Sequence, residues 1–139
     1  MNFIDTNVLL YAFGPADAGD PRQARAREVV AEGNLAFSVQ VFQEFFVQAT
    51  HRRRRSPLTP DEAVEVLQTL ASFCVQPNDV SLFHEAVAIQ RECQTSFWDA
   101  NILAAALRLG CERVYSEDLG HGRDYAGVLV INPFEEAPS

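Results

Sequence analysis

The chain has 139 residues, 47% of them hydrophobic, and a formal net charge of −8. That length predicts a single domain over residues 1–139, with enough apolar content for a sizeable core. The negative charge argues against a general nucleic-acid binder with a basic surface, but it permits an enzyme whose acids hold metal. Cys74, Cys93 and Cys111 include no Cys-x-x-Cys pair, so reduced thiols in a cytoplasmic protein are expected rather than a disulfide framework. The first basic residue is Arg22, so no basic segment leads into an apolar one, and a signal peptide is not expected. No apolar run approaches the ~20 residues of a membrane span, so no membrane association is expected. All 11 basic residues are arginine, which excludes the P-loop and Schiff-base chemistry because both need a lysine.

Residues 1–10 read as a brief strand that hands over directly to a helix, with Asp5 at the junction. In open α/β sheets, ligands bind outside the carboxyl ends of strands. Asp5 therefore has two readings: a functional carboxylate at that edge, or, with Thr6, an N-cap for the helix that continues to residue 13. Residues 14–21 are rich in Gly, Pro and Asp and predict a loop. A helix follows over 22–32, stopped by Gly33-Asn34, then a short strand over 35–37. Ser38 caps a helix expected from Val39 to about Arg52. On its wheel Phe42, Phe45, Phe46 and Ala49 share one face, while Glu44 lies on a polar flank beside Gln40, Gln48 and His51. That flank is either a solvated surface or one wall of a polar cleft.

Arg52, Arg53, Arg54 and Arg55 form a dense basic run. It is either a solvated helix end that complements the helix dipole or a grip for phosphates. Thr59-Pro60-Asp61-Glu62 has the composition of a helix start, and that helix is expected to run to about residue 72. Residues 73–76 read as a strand and 77–79 as a turn. A helix over 81–93 carries Leu82, Ala86, Ile89 and Cys93 in one stripe. His84-Glu85 lacks the second histidine of a zinc-protease motif, so His84 is read as structural or superficial. Thr95-Ser96-Phe97-Trp98-Asp99 opens a helix that runs to residue 109, with Gly110 as its stop. Asp99 fits a loose capping box with Ser96, yet it heads an apolar stripe of Ile102, Leu103 and Ala106. A carboxylate facing the protein needs a cation, a donor network or a metal. Strands follow over 113–116 and 128–131, and Glu117-Asp118 places acid at the end of the first of these. No internal repeat or linker is visible.

Alternating strands and helices predict an α/β fold with a central parallel sheet and helices on both faces. Asp5, Glu44, Asp99 and Asp118 would then approach one edge. Four carboxylates there would raise one another's pKa values, and a hard divalent cation such as Mg²⁺ or Mn²⁺ would resolve the repulsion.

Ile4-Asp5-Thr6-Asn7-Val8, the mid-chain Glu44, Phe97-Trp98-Asp99-Ala100 and Ser116-Glu117-Asp118-Leu119-Gly120-His121-Gly122, followed by Asn132-Pro133-Phe134, resemble PIN-domain ribonucleases. They are most similar to the VapC-type toxins of bacterial type II toxin–antitoxin pairs. The resemblance covers nearly the whole chain, in order and at the right spacing. It implies a three-layer α/β/α fold and a Mg²⁺- or Mn²⁺-dependent endoribonuclease acting on RNA phosphodiesters. It matches Asp5, Glu44, Asp99 and Asp118 to an acidic quartet, with Asp5, Asp99 and Asp118 as metal ligands and Glu44 ligating or orienting water. Thr6 and Ser116 match supporting hydroxyl positions, and Glu117 is either a supporting acid or merely exposed. A cognate antitoxin and homodimerisation are implied as well. Two rivals remain open at this point: a PIN-like module that binds RNA or protein without cleaving, and a phosphatase or DNA nuclease using the same acids.

Overall fold

The computed structural model describes residues 1–135. Strand β1 (Asn2–Ile4) has only three residues, yet it sits inside the sheet with neighbours on both sides. Phe3 and Ile4 are fully buried, because a parallel strand covered on both faces must be apolar throughout. Strand β1 pairs in parallel with β2 (Leu35–Ser38) on one side and β4 (Arg113–Tyr115) on the other. Beyond β2 lies β3 (Cys74–Gln76), and beyond β4 lies β6 (Val128–Ile131), both parallel to their neighbours. An antiparallel edge strand, β5 (Asp124–Tyr125), completes the order β3-β2-β1-β4-β6-β5.

Helices α1 (Thr6–Ala12) and α2 (Pro21–Ala31) connect β1 to β2, and α3 (Val39–Ala49) and α4 (Pro60–Leu70) connect β2 to β3. Helices α5 (Val80–Cys93) and α6 (Phe97–Arg108) then carry the chain back past β1 to β4. The return runs opposite to the first two crossovers, and right-handed crossovers put opposite travel on opposite faces. Accordingly α6 packs across β2, β4 and β6, while α1 packs with α2 and α3. The result is a three-layer α/β/α fold with a mostly parallel sheet, as the sequence predicts. The direction of travel reverses between β1 and β4, so a crevice opens at their carboxyl ends.

Two local expectations change. Helix α3 stops at Ala49 rather than near Arg52: the Thr50 hydroxyl donates to the Phe46 carbonyl at 2.7 Å, and Leu58 N–H donates to the Ala49 carbonyl at 2.9 Å, turning the chain out of the helix. Arg52 to Arg55 therefore occupy an exposed loop instead of a helix end. The sheet is also mixed rather than wholly parallel, because Ala126 and Gly127, both at positive φ, close a tight hairpin from β5 to β6. No helix among the described residues is long and apolar enough to cross a membrane.

Because Phe3 is fully buried between β2 and β4, Phe3→Ala should cost about 3–5 kcal/mol in urea unfolding. A loss below about 1 kcal/mol would remove β1 from the centre of the core.

Candidate active site

The crevice is built from the end of β1. Asp5 N-caps α1, its Oδ1 accepting from Thr6 N–H at 2.7 Å. Its other oxygen, Oδ2, accepts from the Ser116 hydroxyl at 2.7 Å. Asp5 thus serves as a cap and also bridges to the end of β4. The strand register explains the bridge: Ile4 lies opposite Tyr115, so the next residues of the two strands, Asp5 and Ser116, emerge side by side. Asp5 is 6% exposed and Ser116 is fully buried. The Ser116 oxygen also accepts from Asp118 N–H at 3.1 Å, which turns the chain and brings Asp118 to the crevice. Asn7 secures the turn, donating to Asp118 Oδ2 at 3.0 Å and accepting from Glu117 N–H at 3.3 Å.

Glu44 reaches the same crevice from α3. The Thr6 hydroxyl donates to its Oε2 at 2.9 Å, and the Gln40 amide, one turn earlier on α3, donates to its Oε1 at 2.7 Å. Gln40 is oriented in turn by Asn101 of α6, whose amide donates to Gln40 Oε1 at 2.6 Å. Asp99 comes from the first turn of α6, where Ser96 caps the helix and accepts from Asp99 N–H at 3.1 Å.

The four acids interact electrostatically. Asp5 is pushed up from 3.8 to about 7, chiefly by burial; the Ser116 and Thr6 hydrogen bonds oppose this, and the charges of Glu44 and Asp118 reinforce it. Asp99 is raised for the same main reason, opposed by Ser96 and reinforced by Asp118 and Glu44. Among the described residues, no three Asp, Glu, His or Cys side chains are drawn close enough to cage an ion by themselves. The donor chemistry still suits a hard divalent ion, since Mg²⁺ usually keeps several waters and takes only one or two carboxylates plus substrate oxygens. The carboxylates of Asp5, Glu44, Asp99 and Asp118 are the oxygen donors the crevice offers.

Other residues singled out from the sequence lie elsewhere. Glu117 is half-buried and accepts from the Tyr11 hydroxyl at 3.3 Å. That contact contributes to raising the Tyr11 pKa, after burial. Arg54 and Arg55 line an open groove of about 610 Å³ with Tyr11, Asp17, Asp20 and Gln23. Its walls carry both signs of charge. Sequence reading missed Asn7, Gln40 and Asn101 as supports of the acids. The available signals were an amide two residues after Asp5, another one turn before Glu44, and a third within the apolar run of α6.

The family model for the PIN domain matches residues 3–123, and the chain belongs to the PIN domain family. No curated protein sequence matches it. Among solved structures, a toxin–antitoxin complex from Klebsiella pneumoniae is similar with a TM-score of 0.69 and 21% identity, over 98% of this chain and 100% of that one. Mycobacterium tuberculosis VapC20, described as a sarcin–ricin loop cleaving toxin, gives 0.61 and 22%, over 84% of this chain and 88% of its own. DNA-bound VapBC from Salmonella typhimurium gives 0.62 and 18%, over 93% and 95%. At these identities the likeness is one of fold.

The Asp5 carboxyl gives the metal-free protein a signed pH dependence. Between about pH 4 and pH 7 the folded state holds a proton that the unfolded chain has released, so stability falls as pH rises. A shift from 3.8 to about 7 corresponds to at most on the order of 4 kcal/mol. Urea unfolding in EDTA at pH 4 and pH 8 should show wild type losing more stability across that range than Asp5→Asn, which keeps the cap and removes the charge. Parallel pH profiles for the two proteins would mean that Asp5 carries no such strain.

Proposed function

We propose that this protein is a Mg²⁺- or Mn²⁺-dependent endoribonuclease, the toxin of a toxin–antitoxin pair, working in the cytoplasm. The observation that carries the reading is the electrostatic coupling of four carboxylates from four segments of chain around the switch point of the sheet: Glu44 and Asp118 act on both Asp5 and Asp99, and burial with those charges raises the Asp5 pKa to about 7. Membership of the PIN family and the likeness in fold to toxin structures support it. The reaction is hydrolysis: a water oxygen attacks phosphorus, the P–O bond to the leaving nucleotide breaks, and the leaving oxygen takes up a proton.

Asp5, Asp99 and Asp118 would hold one or two divalent ions, directly or through water, and such ions would neutralise the scissile phosphate and lower the pKa of the attacking water. The chain's own residues do the positioning. Ser116 and Thr6 N–H fix both oxygens of Asp5, and Asn7 fixes one oxygen of Asp118. Thr6 and Gln40 hold the Glu44 carboxylate at the crevice wall, where it accepts a hydrogen bond from the attacking water and orients it. Arg54 and Arg55 would meet substrate phosphates along the groove they line with Tyr11. A cognate antitoxin covering the acids, and a homodimer, complete the reading.

A labelled RNA pool should be cut by the purified protein with Mg²⁺ or Mn²⁺ and spared in EDTA. Asp99→Asn should abolish cutting while leaving the domain folded. About 10 mM Mn²⁺ against a Kd of ~1 mM stabilises the fold by roughly 1.4 kcal/mol, a rise in Tm of about 3–6 °C, and Asp99→Asn should reduce it. Metal-supported melting with no RNA cleavage would instead favour a PIN-like module that binds without cutting.

The arginine loop makes a separate prediction. Replacing Arg52 to Arg55 with Ala should weaken RNA binding and flatten its log–log salt dependence by up to ~0.7 per lost single-strand contact. An unchanged slope would return the loop to plain solvation.

A further inference from the structure

Helix α6 carries a polar side chain inside its buried apolar run. Asn101 lies between Ala100 and Ile102 and is 8% exposed, in a place where leucine would pack without desolvating an amide. Burying an amide is costly unless it is hydrogen-bonded. The bond goes to a second buried amide: Asn101 Nδ2 donates to Gln40 Oε1 at 2.6 Å, and Gln40 is 5% exposed. Gln40 uses its own NH₂ twice. It donates to Glu44 Oε1 at 2.7 Å within α3, and to the Trp98 carbonyl at 3.3 Å across to α6. Trp98 directly precedes Asp99. Helix α6 thus holds Gln40 at two points, Trp98 and Asn101, and Gln40 holds Glu44. One carboxamide joins the segments that present two acids of the site, Glu44 on α3 and Asp99 on α6.

A carboxamide has two orientations, with its acceptor and its donors exchanged. Turned over, Gln40 would set its oxygen against the Glu44 carboxylate and the Trp98 carbonyl, and its NH₂ against that of Asn101. The Asn101 donor excludes that state. We propose that Asn101 is a positioning residue for the reaction: by fixing the Gln40 carboxamide, it sets the Glu44 carboxylate in one place relative to the start of α6, so that Glu44 aims the attacking water. The proposal rests on the nuclease reading, which gives Glu44 that task. Stability alone does not account for the pair, because replacing both partners of a buried hydrogen bond by apolar groups of the same shape is nearly neutral. An apolar pair lacks only a donor of fixed direction at Glu44. Without it the Thr6 hydroxyl, on the other carboxylate oxygen, would hold Glu44 alone and let it swing about that contact.

Wild type, Asn101→Leu and the double variant Gln40→Leu/Asn101→Leu separate positioning from packing. In the metal-free protein, solvent exchange of the Gln40 side-chain NH₂, followed by NMR, should be at least about tenfold slower in wild type than in Asn101→Leu. The single variant strands the buried Gln40 oxygen and should lower Tm. The double variant removes both ends of the bond and should recover most of that loss. With Mn²⁺ and RNA, kcat should fall roughly 10- to 100-fold in both variants while KM stays within about twofold. A kcat that recovers together with Tm in the double variant makes Asn101 a packing residue and overturns the proposal while the nuclease stands. Equal exchange of the Gln40 NH₂ in wild type and Asn101→Leu does the same. Should Asn101→Leu fail to fold, the double variant decides: a wild-type kcat there, or free exchange of the Gln40 NH₂ in wild type, overturns the proposal. A protected Gln40 NH₂ in a wild type that cuts no RNA overturns the nuclease reading, and the positioning role falls with it although the hydrogen bond stands.

Discussion

The site depends on one contact, the 2.7 Å hydrogen bond from the buried Ser116 hydroxyl to Asp5. Asp5 ends β1, and Ser116 follows β4, where the sheet changes direction. A carboxylate taken out of water there is costly without donors. Thr6 N–H and Ser116 supply two, and the Ser116 oxygen in turn accepts from Asp118 N–H. One hydroxyl thus ties the first acid to the loop that presents the fourth. The tie exists only in this register. Sliding β4 by one residue would turn Ser116 to the opposite face and take both contacts with it.

The donors recorded on the four acids are neutral: hydroxyls of Thr6, Ser116 and Ser96, amides of Asn7 and Gln40, and backbone N–H. Neutral donors fix a carboxylate's direction without cancelling its charge. Arginines are used elsewhere, as where Arg108 of α6 pairs with Asp79 and Glu85 on the α5 side. An arginine among the acids would pin them as firmly, but it would also cancel the negative charge that the neutral donors leave in place. The Asn101–Gln40–Glu44 relay follows the same economy. Asn101 occupies the Gln40 oxygen, which leaves the Gln40 NH₂ to face Glu44.

Much of this was legible in the sequence because it is local. Apolar runs marked β1, β2, β4 and β6, and Ser38, Thr59 and Ser96 cap the helices they precede. Glu44 and Gln40 fell together on one polar flank by helical geometry alone. What stayed hidden depends on partners far along the chain. Gln40 meets Asn101 across 61 positions and Asn7 meets Asp118 across 111, and no periodicity encodes such pairs. The end of α3 was misjudged because it is set by a side chain bonding back into the helix, from Thr50 to Phe46, and by Leu58 returning to Ala49. Strand β5 has two residues, too few for an alternating pattern, and it exists because a hairpin lays it against β6.

Helix termini explain part of how the acids tolerate one another. Asp5 caps α1, and Asp99 lies in the first turn of α6, so both face the partly positive ends of helices. Each such placement stabilises a negative charge by about 0.3–1 kcal/mol at the surface and up to ~2 kcal/mol when partly buried. Helix α1 has only seven residues, which puts it toward the weaker end. The opposing effect is larger, because a rise from 3.8 to about 7 corresponds to on the order of 4 kcal/mol against the ionised form of Asp5. That rise remains after the hydrogen bonds of Ser116 and Thr6 have acted. Dipoles and donors therefore hold the carboxylates in place without settling their charge. Near neutral pH Asp5 is divided between its protonated and ionised forms, so a proton would compete with the proposed cation for the same oxygens. Burial outweighs the donors at Asp5, and the charge left unrelieved in the crevice is what the proposed metal would answer.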